Sequence, residues 1–401
     1  TDSIPIRTFA KSRTQTAWQR GLELTQSNDM KNFDVAIIGA GIVGASIGYH
    51  LSERGAKVAI IDSSDPGSGA SSHSFAWINA GFKHPYSYHE FSRKSMNMWD
   101  HLARKLDMEI GLLWGGKISW ESTDEGAERL RQKILQAKQW GYPSRLITKP
   151  ELQELAPQLS LGNVTAAEFT PVDGQVEPQL VINACLKRAE EHGASIITNS
   201  EVLKYNKRED GDKLTSLTTD SHKLSFDYLV IAAGVDTTKL AALAGINIPQ
   251  QTSPGVVIRT NYQPPLLSSI PVIYAPRLDA DHPEIHIRQC HNGTLMIGEG
   301  DQESIKEDDT QDHADDLLNR AIQYLPSLQN ALALPVPVGF RPMPLDGYPI
   351  LGFSASAPNV YIALTHSGVT LAPIIGEVSA IEILDNVKIE SVAPYRPERF
   401  R

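Results

Sequence analysis

The sequence has little of what would mark a specialised class. It holds two cysteines in 401 residues, Cys185 and Cys290, with no C-x-x-C spacing. A disulfide framework is thereby excluded, and the usage suits a reducing compartment. No stretch approaches the roughly 18 consecutive apolar residues of a membrane helix. Basic side chains are outnumbered, 37 against 47 acidic, for a formal charge of −10. A polyanion-binding protein would carry a basic excess or a basic stripe, and neither is present, so no nucleic-acid partner is expected. Internal repeats and low-complexity segments are missing, and Gly 29 and Pro 25 are too few for a collagen-like or disordered chain. These exclusions leave an acidic, soluble globular protein, expected in the cytoplasm and long enough for two or three domains.

Residues 1–32 are polar and lack an apolar core run, so they are expected to form a surface arm and not a secretory signal. Their Arg, Lys, Ser and Thr leave the remnant of an organellar address open. From Phe33 the pattern changes. Asp34–Gly39 reads DVAIIG, a buried parallel strand; Gly44–Arg54 reads as a helix stopped by Gly55; Lys57–Asp62 reads KVAIID, a second buried strand. Amphipathic helices are expected over 88–106 and 123–140, around a strand at 116–120, and another helix over 178–192. Strand-like runs follow at 195–204, 214–219 and 228–232. Residues 254–261 and 271–299 suggest antiparallel strands, with His291-Asn-Gly-Thr294 as a two-residue hairpin turn. A helix near 310–325, a strand at 360–364 and a helix over 371–385 complete the chain.

Between the first strand and its helix lies Gly39-Ala-Gly41-Ile-Val-Gly44. Gly39 permits the tight turn, Gly41 lets the backbone approach a pyrophosphate, and Gly44 lets helix and strand pack closely. The helix N-terminus then offers free N–H groups to phosphate. Asp62 ends the second strand, where an acid holds ribose hydroxyls and repels a 2′-phosphate. Strand, helix, strand and terminal acid fall in the order that dinucleotide binding requires.

Further blocks occur downstream: Pro66–Gly81 (PGSGASSHSFAWINAG), Asp227–Gly234 (DYLVIAAG), Phe340–Gly352 (FRPMPLDGYPILG) and Asn359–Pro373 (NVYIALTHSGVTLAP). With the fingerprint, this series resembles the D-amino acid oxidase family of flavoproteins, over about residues 33–390. The resemblance implies an α/β fold in which a Rossmann-like FAD-binding domain is interleaved with an α+β substrate domain carrying an antiparallel sheet. The expected FAD-binding segments are 33–84, 171–250 and 336–392, and the expected substrate domain is 85–170 and 251–335. FAD is expected to be held non-covalently, although a histidine that carries flavin in some relatives raises His73 as an attachment point.

The resemblance implies the following roles. Ser71 and Ser72 run beside the FAD phosphates and flavin, the Val202 backbone meets the adenine, and Gly234 passes near the cofactor. Gly368, Val369 and Thr370 open the last helix toward the flavin N1/C2=O edge, where reduced flavin carries negative charge. Arg341 binds the substrate carboxylate through its fork of N–H donors, the rival reading being a structural salt bridge to Asp346. Tyr274 orients the substrate or merely packs. His286, Arg288 and Cys290 share one face of a strand, and if that face looks at the flavin, Arg288 is a second anion contact. If it does not, Ile285, Ile287 and Gln289 line the pocket. His366 tunes the flavin or supports its loop, with support preferred.

His282, His286, Cys290 and His291 have no zinc-like spacing, and no metal is expected. Some family features are missing. The cysteine that anchors flavin in monomeric sarcosine oxidase has no counterpart at 336–346, and that enzyme's lysine after Gly-His-Gly-Phe is replaced by Thr370. The arginine after the histidine in glycine oxidase is absent. The expected reaction is oxidation of an amino acid or N-substituted amino acid at its Cα–N bond, with oxygen as acceptor. A quinone or carrier protein as acceptor, a non-catalytic subunit and a homo-oligomer remain alternatives.

Overall fold

A computed structural model describes residues 31–208, 211–267, 270–300 and 307–400. The expected arm lies outside the described residues except for Lys31 and Asn32, which instead begin the first strand, Lys31–Ile38, paired with Leu224 and Ser225.

Two sheets organise the described chain. In the first, five strands run parallel: Ser195–Ile197, Val58–Ile61, Lys31–Ile38, Lys223–Ile231 and Val360–Leu364, in that spatial order. Antiparallel strands Leu214–Thr219, Val202–Lys207 and Ile350–Phe353 complete its eight. The apolar runs VAII and VYIAL are buried throughout because this part of the sheet is covered on both faces. One core lies between the sheet and the helices Ile42–Glu53, Pro178–Glu191 and Gly368–Asp385. A second core covers the other face.

The second sheet also has eight strands, with Lys117–Glu121, Val272–Ala275, Ile285–Gln289 and Leu295–Glu299 consecutive neighbours near its middle. It is antiparallel except where Val272–Ala275 pairs parallel with Lys117–Glu121. Its core is closed by the helix Gln311–Tyr324, whose N-cap Thr310 accepts from the His313 N–H.

Three local expectations need correction. The run 195–204 is two strands, Ser195–Ile197 and Val202–Lys207, separated by Asn199 at φ +51°. The hairpin after Gln289 has a three-residue loop. Cys290 N–H bonds the Thr294 carbonyl, Gly293 N–H bonds the Cys290 carbonyl, and Gly293 supplies φ +82°. The last helix begins at Gly368, three residues before its expected start.

Helix Tyr86–Leu106 also falls differently. It lies within the stretch assigned to the substrate domain, yet Phe91, Met96, Trp99 and Leu102 belong to the first sheet's helical core. Its Ser95 Oγ donates to the Thr370 carbonyl at 2.7 Å, while Ser46 Oγ donates to Ala372 at 2.8 Å. Gly376 leaves room for this approach, since a Cβ there would overlap Ser46 Oγ. The N-terminus of helix Gly368–Asp385 is therefore fixed from two sides.

Candidate active site

The carboxyl ends of the parallel strands face the second sheet across a cavity of about 2040 Å³. That location is where open α/β sheets bind ligands, and the volume exceeds the roughly 300–1,000 Å³ of a small-molecule site. Glycine geometry accounts for one end. Gly39 has φ +108°, and a Cβ there would overlap the Ala232 carbonyl oxygen. A Cβ on Gly44 would overlap the Gly39 carbonyl, so only glycine lets helix and strand approach this closely. At Gly41 the nearest atom to a Cβ would be Ser71 Oγ, 3.4 Å away, which leaves the backbone open to the cavity. Asp62 accepts from Ala40 N–H at 2.7 Å and Ser64 N–H at 2.9 Å. Burial raises its pKa despite those two bonds.

Ser71, Val202, Gly234, Gly368, Val369 and Thr370 all line this cavity. Ser71 Oγ accepts from the Ile42 N–H at 3.2 Å, which ties the serine loop to the helix start. Gly234 opens a 3-10 turn at φ +56°. Ser72 does not line the cavity: its hydroxyl turns back to the carbonyls of Ser68 and Gly69, at 3.1 and 2.9 Å. The contact expected of it is corrected to a loop-closing role. His73 reaches the cavity, with Nδ1 at 3.0 Å from Ser72 Oγ and 3.2 Å from the Gly69 carbonyl.

Arg341, Tyr274 and His366 line the same cavity. Arg341 is half-buried; its Nη1 donates to the Pro254 carbonyl at 2.6 Å. Its guanidinium lies against Gly255, where a Cβ would come 2.6 Å from Nη2. Asp346 bonds Arg399 bidentately, at 2.7 and 3.0 Å, which accounts for the acid named as its rival partner. Tyr274 stacks on His286 at 5.2 Å and faces Trp77 at 5.3 Å. Burial raises its pKa, so the phenol stays protonated and able to donate. His366 is pushed down to about 3, by burial first and then by Lys83 and Arg341. It is neutral at physiological pH.

Arg288 requires correction. It is fully buried and outside the cavity lining, with Nη1 donating to Glu177 Oε1 at 2.8 Å. The strand phase does turn His286 toward the cavity, while Ile285 and Ile287 enter the core beneath the helix Gln311–Tyr324. Two residues further along, Glu177 seals Arg288 away. His286 takes its place on the wall, pushed down to about 3 by burial and by Arg341. Its Nδ1 is buried without a hydrogen-bond partner. Among the described residues, no three His, Cys, Asp or Glu side chains converge on a metal-sized site.

Other residues carried no distinctive sequence signal. Asp173 accepts from Trp77 Nε1 at 2.9 Å and from the Tyr142 hydroxyl, and so sets the indole against Tyr274. Burial raises Asp173 to about 7. Lys83 extends into the cavity and donates to Ser367 Oγ at 2.6 Å, beside Tyr88. Its position shortly after the Asn79-Ala-Gly81 block was the only hint.

Comparison with known proteins agrees with this geometry. Residues 34–380 match the family model described as "DAO: FAD dependent oxidoreductase". An opine oxidase subunit of Agrobacterium tumefaciens is 27% identical over 353 residues, covering 86% of this chain and 91% of that protein. Glycine oxidase of Geobacillus kaustophilus is also 27% identical, with the same two coverages. The solved structure of a Geobacillus kaustophilus glycine oxidase superposes with a TM-score of 0.80 at 26% identity, over 92% of this chain and 98% of that one. No helix among the described residues is long and apolar enough to cross a membrane. Glycines at 39 and 44 where a Cβ would overlap backbone, an acid at the end of the second strand and a cavity larger than a small substrate needs all suit a flavin dinucleotide, and the chain belongs to the DAO family of FAD-dependent oxidoreductases.

Proposed function

We propose that this protein oxidises the Cα–N bond of a small amino acid or N-substituted amino acid to an imine, with oxygen as the final acceptor. The observation that carries the reading is Arg341: a guanidinium on the cavity wall, placed by Pro254 and Gly255, whose charge acts on the stacked Tyr274 and neutral His286 of the same wall. The glycine oxidase and opine oxidase names of the relatives support an amino-acid-like substrate.

Bound FAD supplies a two-electron acceptor for the hydride lost from the substrate carbon. Gly39, Gly41, Asp62, Ser71, Val202, Gly234 and Gly368–Thr370 would hold it without a covalent link, with Gly44 letting the helix approach the strand behind them. Arg341 fixes the substrate carboxylate by paired charge-assisted hydrogen bonds. The protonated Tyr274 hydroxyl is a donor that orients the carboxylate, and Trp77, held by Asp173, limits how the tyrosine can turn. Neither His286 nor His366 is basic enough to be charged, so they add no repulsion to an amine substrate. Positioning, and not a general base, is the main contribution of these side chains.

Anaerobic titration of the holoprotein with glycine, sarcosine, proline and D- and L-alanine tests the reading. At least one should bleach the oxidised flavin band and, in air, release peroxide. If none bleaches it, the proposal fails for this substrate class. A second reading is favoured by the relative whose name makes it one part of an oxidase: the chain works within a larger assembly and passes electrons to a carrier. Bleaching without peroxide, with turnover restored by a redox dye, would select that version.

A further inference from the structure

Lys83 is a cation enclosed within the cavity wall. It reaches Ser367 Oγ at 2.6 Å, and the Tyr88 hydroxyl bonds the same oxygen at 3.0 Å. Ser367 is the N-cap of the 18-residue helix Gly368–Asp385, which has no side-chain cap bond and no acidic residue in its first turn. Positive charge beside a helix N-terminus opposes the dipole, because the unpaired N–H groups there are already electropositive. Burial adds a desolvation cost that holds the Lys83 amine down to about 8.

Few groups offset this. Asp173 pulls the amine's pKa the other way, but its carboxyl is already engaged by Trp77 and Tyr142. Lys83 and Arg341 both depress His366, so the two cations act on the same end of the cavity. They reach it from different elements. Arg341 follows the strand Gly339–Phe340, while Lys83 is bonded to the start of the terminal helix. Lys83 and an uncapped helix end are mutually unfavourable unless electron-rich ligand atoms lie beside them. The helix end and Lys83 therefore call for an electron-rich partner in the cavity.

We propose that Lys83, acting through Ser367 and through space, is the residue that stabilises the negative charge acquired by reduced flavin at its N1/C2=O edge, and so raises the reduction potential of the bound cofactor. This inference rests on the FAD-oxidase reading. Lys83 is thus a tuning residue and not a substrate ligand. Its loss should alter the cofactor's electron affinity even when no substrate is present.

The test uses FAD-loaded protein, sodium sulfite as the probe and dye-equilibrated potentiometry. Sulfite adds its electron pair to flavin N5 and leaves negative charge at the same edge. Lys83→Met should weaken sulfite binding at least tenfold and lower the two-electron potential by about 30 mV or more, the equivalent of a tenfold change in equilibrium constant. Lys83→Arg, which retains the charge, should stay near wild type on both measures. If Lys83→Met loses FAD while Lys83→Arg keeps it, the charge serves retention of the oxidised cofactor and not its reduction, and the inference is overturned. If both lose FAD, packing and not charge is at work, and the inference is overturned. A potential and sulfite affinity unchanged in Lys83→Met overturn it too. Wild-type protein that binds no FAD, or whose FAD no amino acid reduces, defeats the underlying functional reading instead.

Discussion

Gly255 tests the substrate role of Arg341 without touching the arginine itself. It pairs with Gly339 in a short two-stranded ladder, and a Cβ there would lie 2.6 Å from Arg341 Nη2 and 2.8 Å from Cζ. Ordinary contact begins near 3.4 Å, so in Gly255→Ala the guanidinium must retreat by about 1 Å. A displacement of that size in a positioning group costs up to about 10²-fold in rate, or roughly 2.7 kcal/mol of transition-state stabilisation. Deleting the side chain removes two charged hydrogen bonds, each about 1.5–3 kcal/mol. Arg341→Ala should therefore fall furthest, Arg341→Lys less, and Gly255→Ala by about 10- to 100-fold in kcat/KM. The assay is peroxide-coupled turnover with whichever amino acid bleaches the flavin, alongside the decarboxylated amine. FAD content should be unchanged, and the poor activity on the amine should be indifferent to all three substitutions. Gly255→Ala and Arg341→Ala both within twofold of wild type on the amino acid would refute the reasoning, since no carboxylate could then depend on this arginine.

Three more expectations follow from the same geometry. Gly44→Ala places a methyl against the Gly39 carbonyl, where no flexible side chain can give way, so FAD should dissociate at least tenfold more readily, measured by flavin absorbance after gel filtration. Arg288→Met leaves Glu177 without its ion-pair partner and should cost about 3–5 kcal/mol in urea denaturation, with KM unchanged and much of the loss recovered by adding Glu177→Gln. His286 and His366 are held near 3 when folded, below the 6.5 of a free imidazole, so between those values the unfolded chain binds more protons. Their contribution makes stability fall as pH drops below about 6.5. Melting curves of His286→Gln and His366→Gln between pH 7.5 and 4.5 should be flatter than wild type.

The parts legible in sequence were those with one physical solution. The runs VAII and VYIAL can be buried on both faces only within a covered parallel sheet, and the glycines at 39, 41 and 44 satisfy three separate steric demands. The helix 86–106 shows the limit. Its apolar stripe announces burial, but periodicity does not say which layer receives it, and it packs with the terminal helix. The strand 285–289 shows another. Alternation placed His286 and Arg288 on one face, and the outcome at Arg288 depends on Glu177, 111 positions away. Ser72 escaped for a smaller reason, since the hydroxyls of neighbouring serines in a turn point in different directions. Asp173 and Lys83 matter because of what surrounds them, and isolated charged residues in a sequence carry no mark of burial.

The net charge of −10 gives these cations more weight. Charges at the surface are screened over about 8 Å at physiological ionic strength, so the overall negative field fades quickly toward a recessed site. Within the cavity, Asp62 lies beside the glycine cradle, whereas Lys83 and Arg341 act on His366. An acid suits neutral ribose hydroxyls, and cations suit a carboxylate and a reduced flavin edge. Under the proposed reading, the sign of the charge near each part of the cavity matters more than the net charge of the chain.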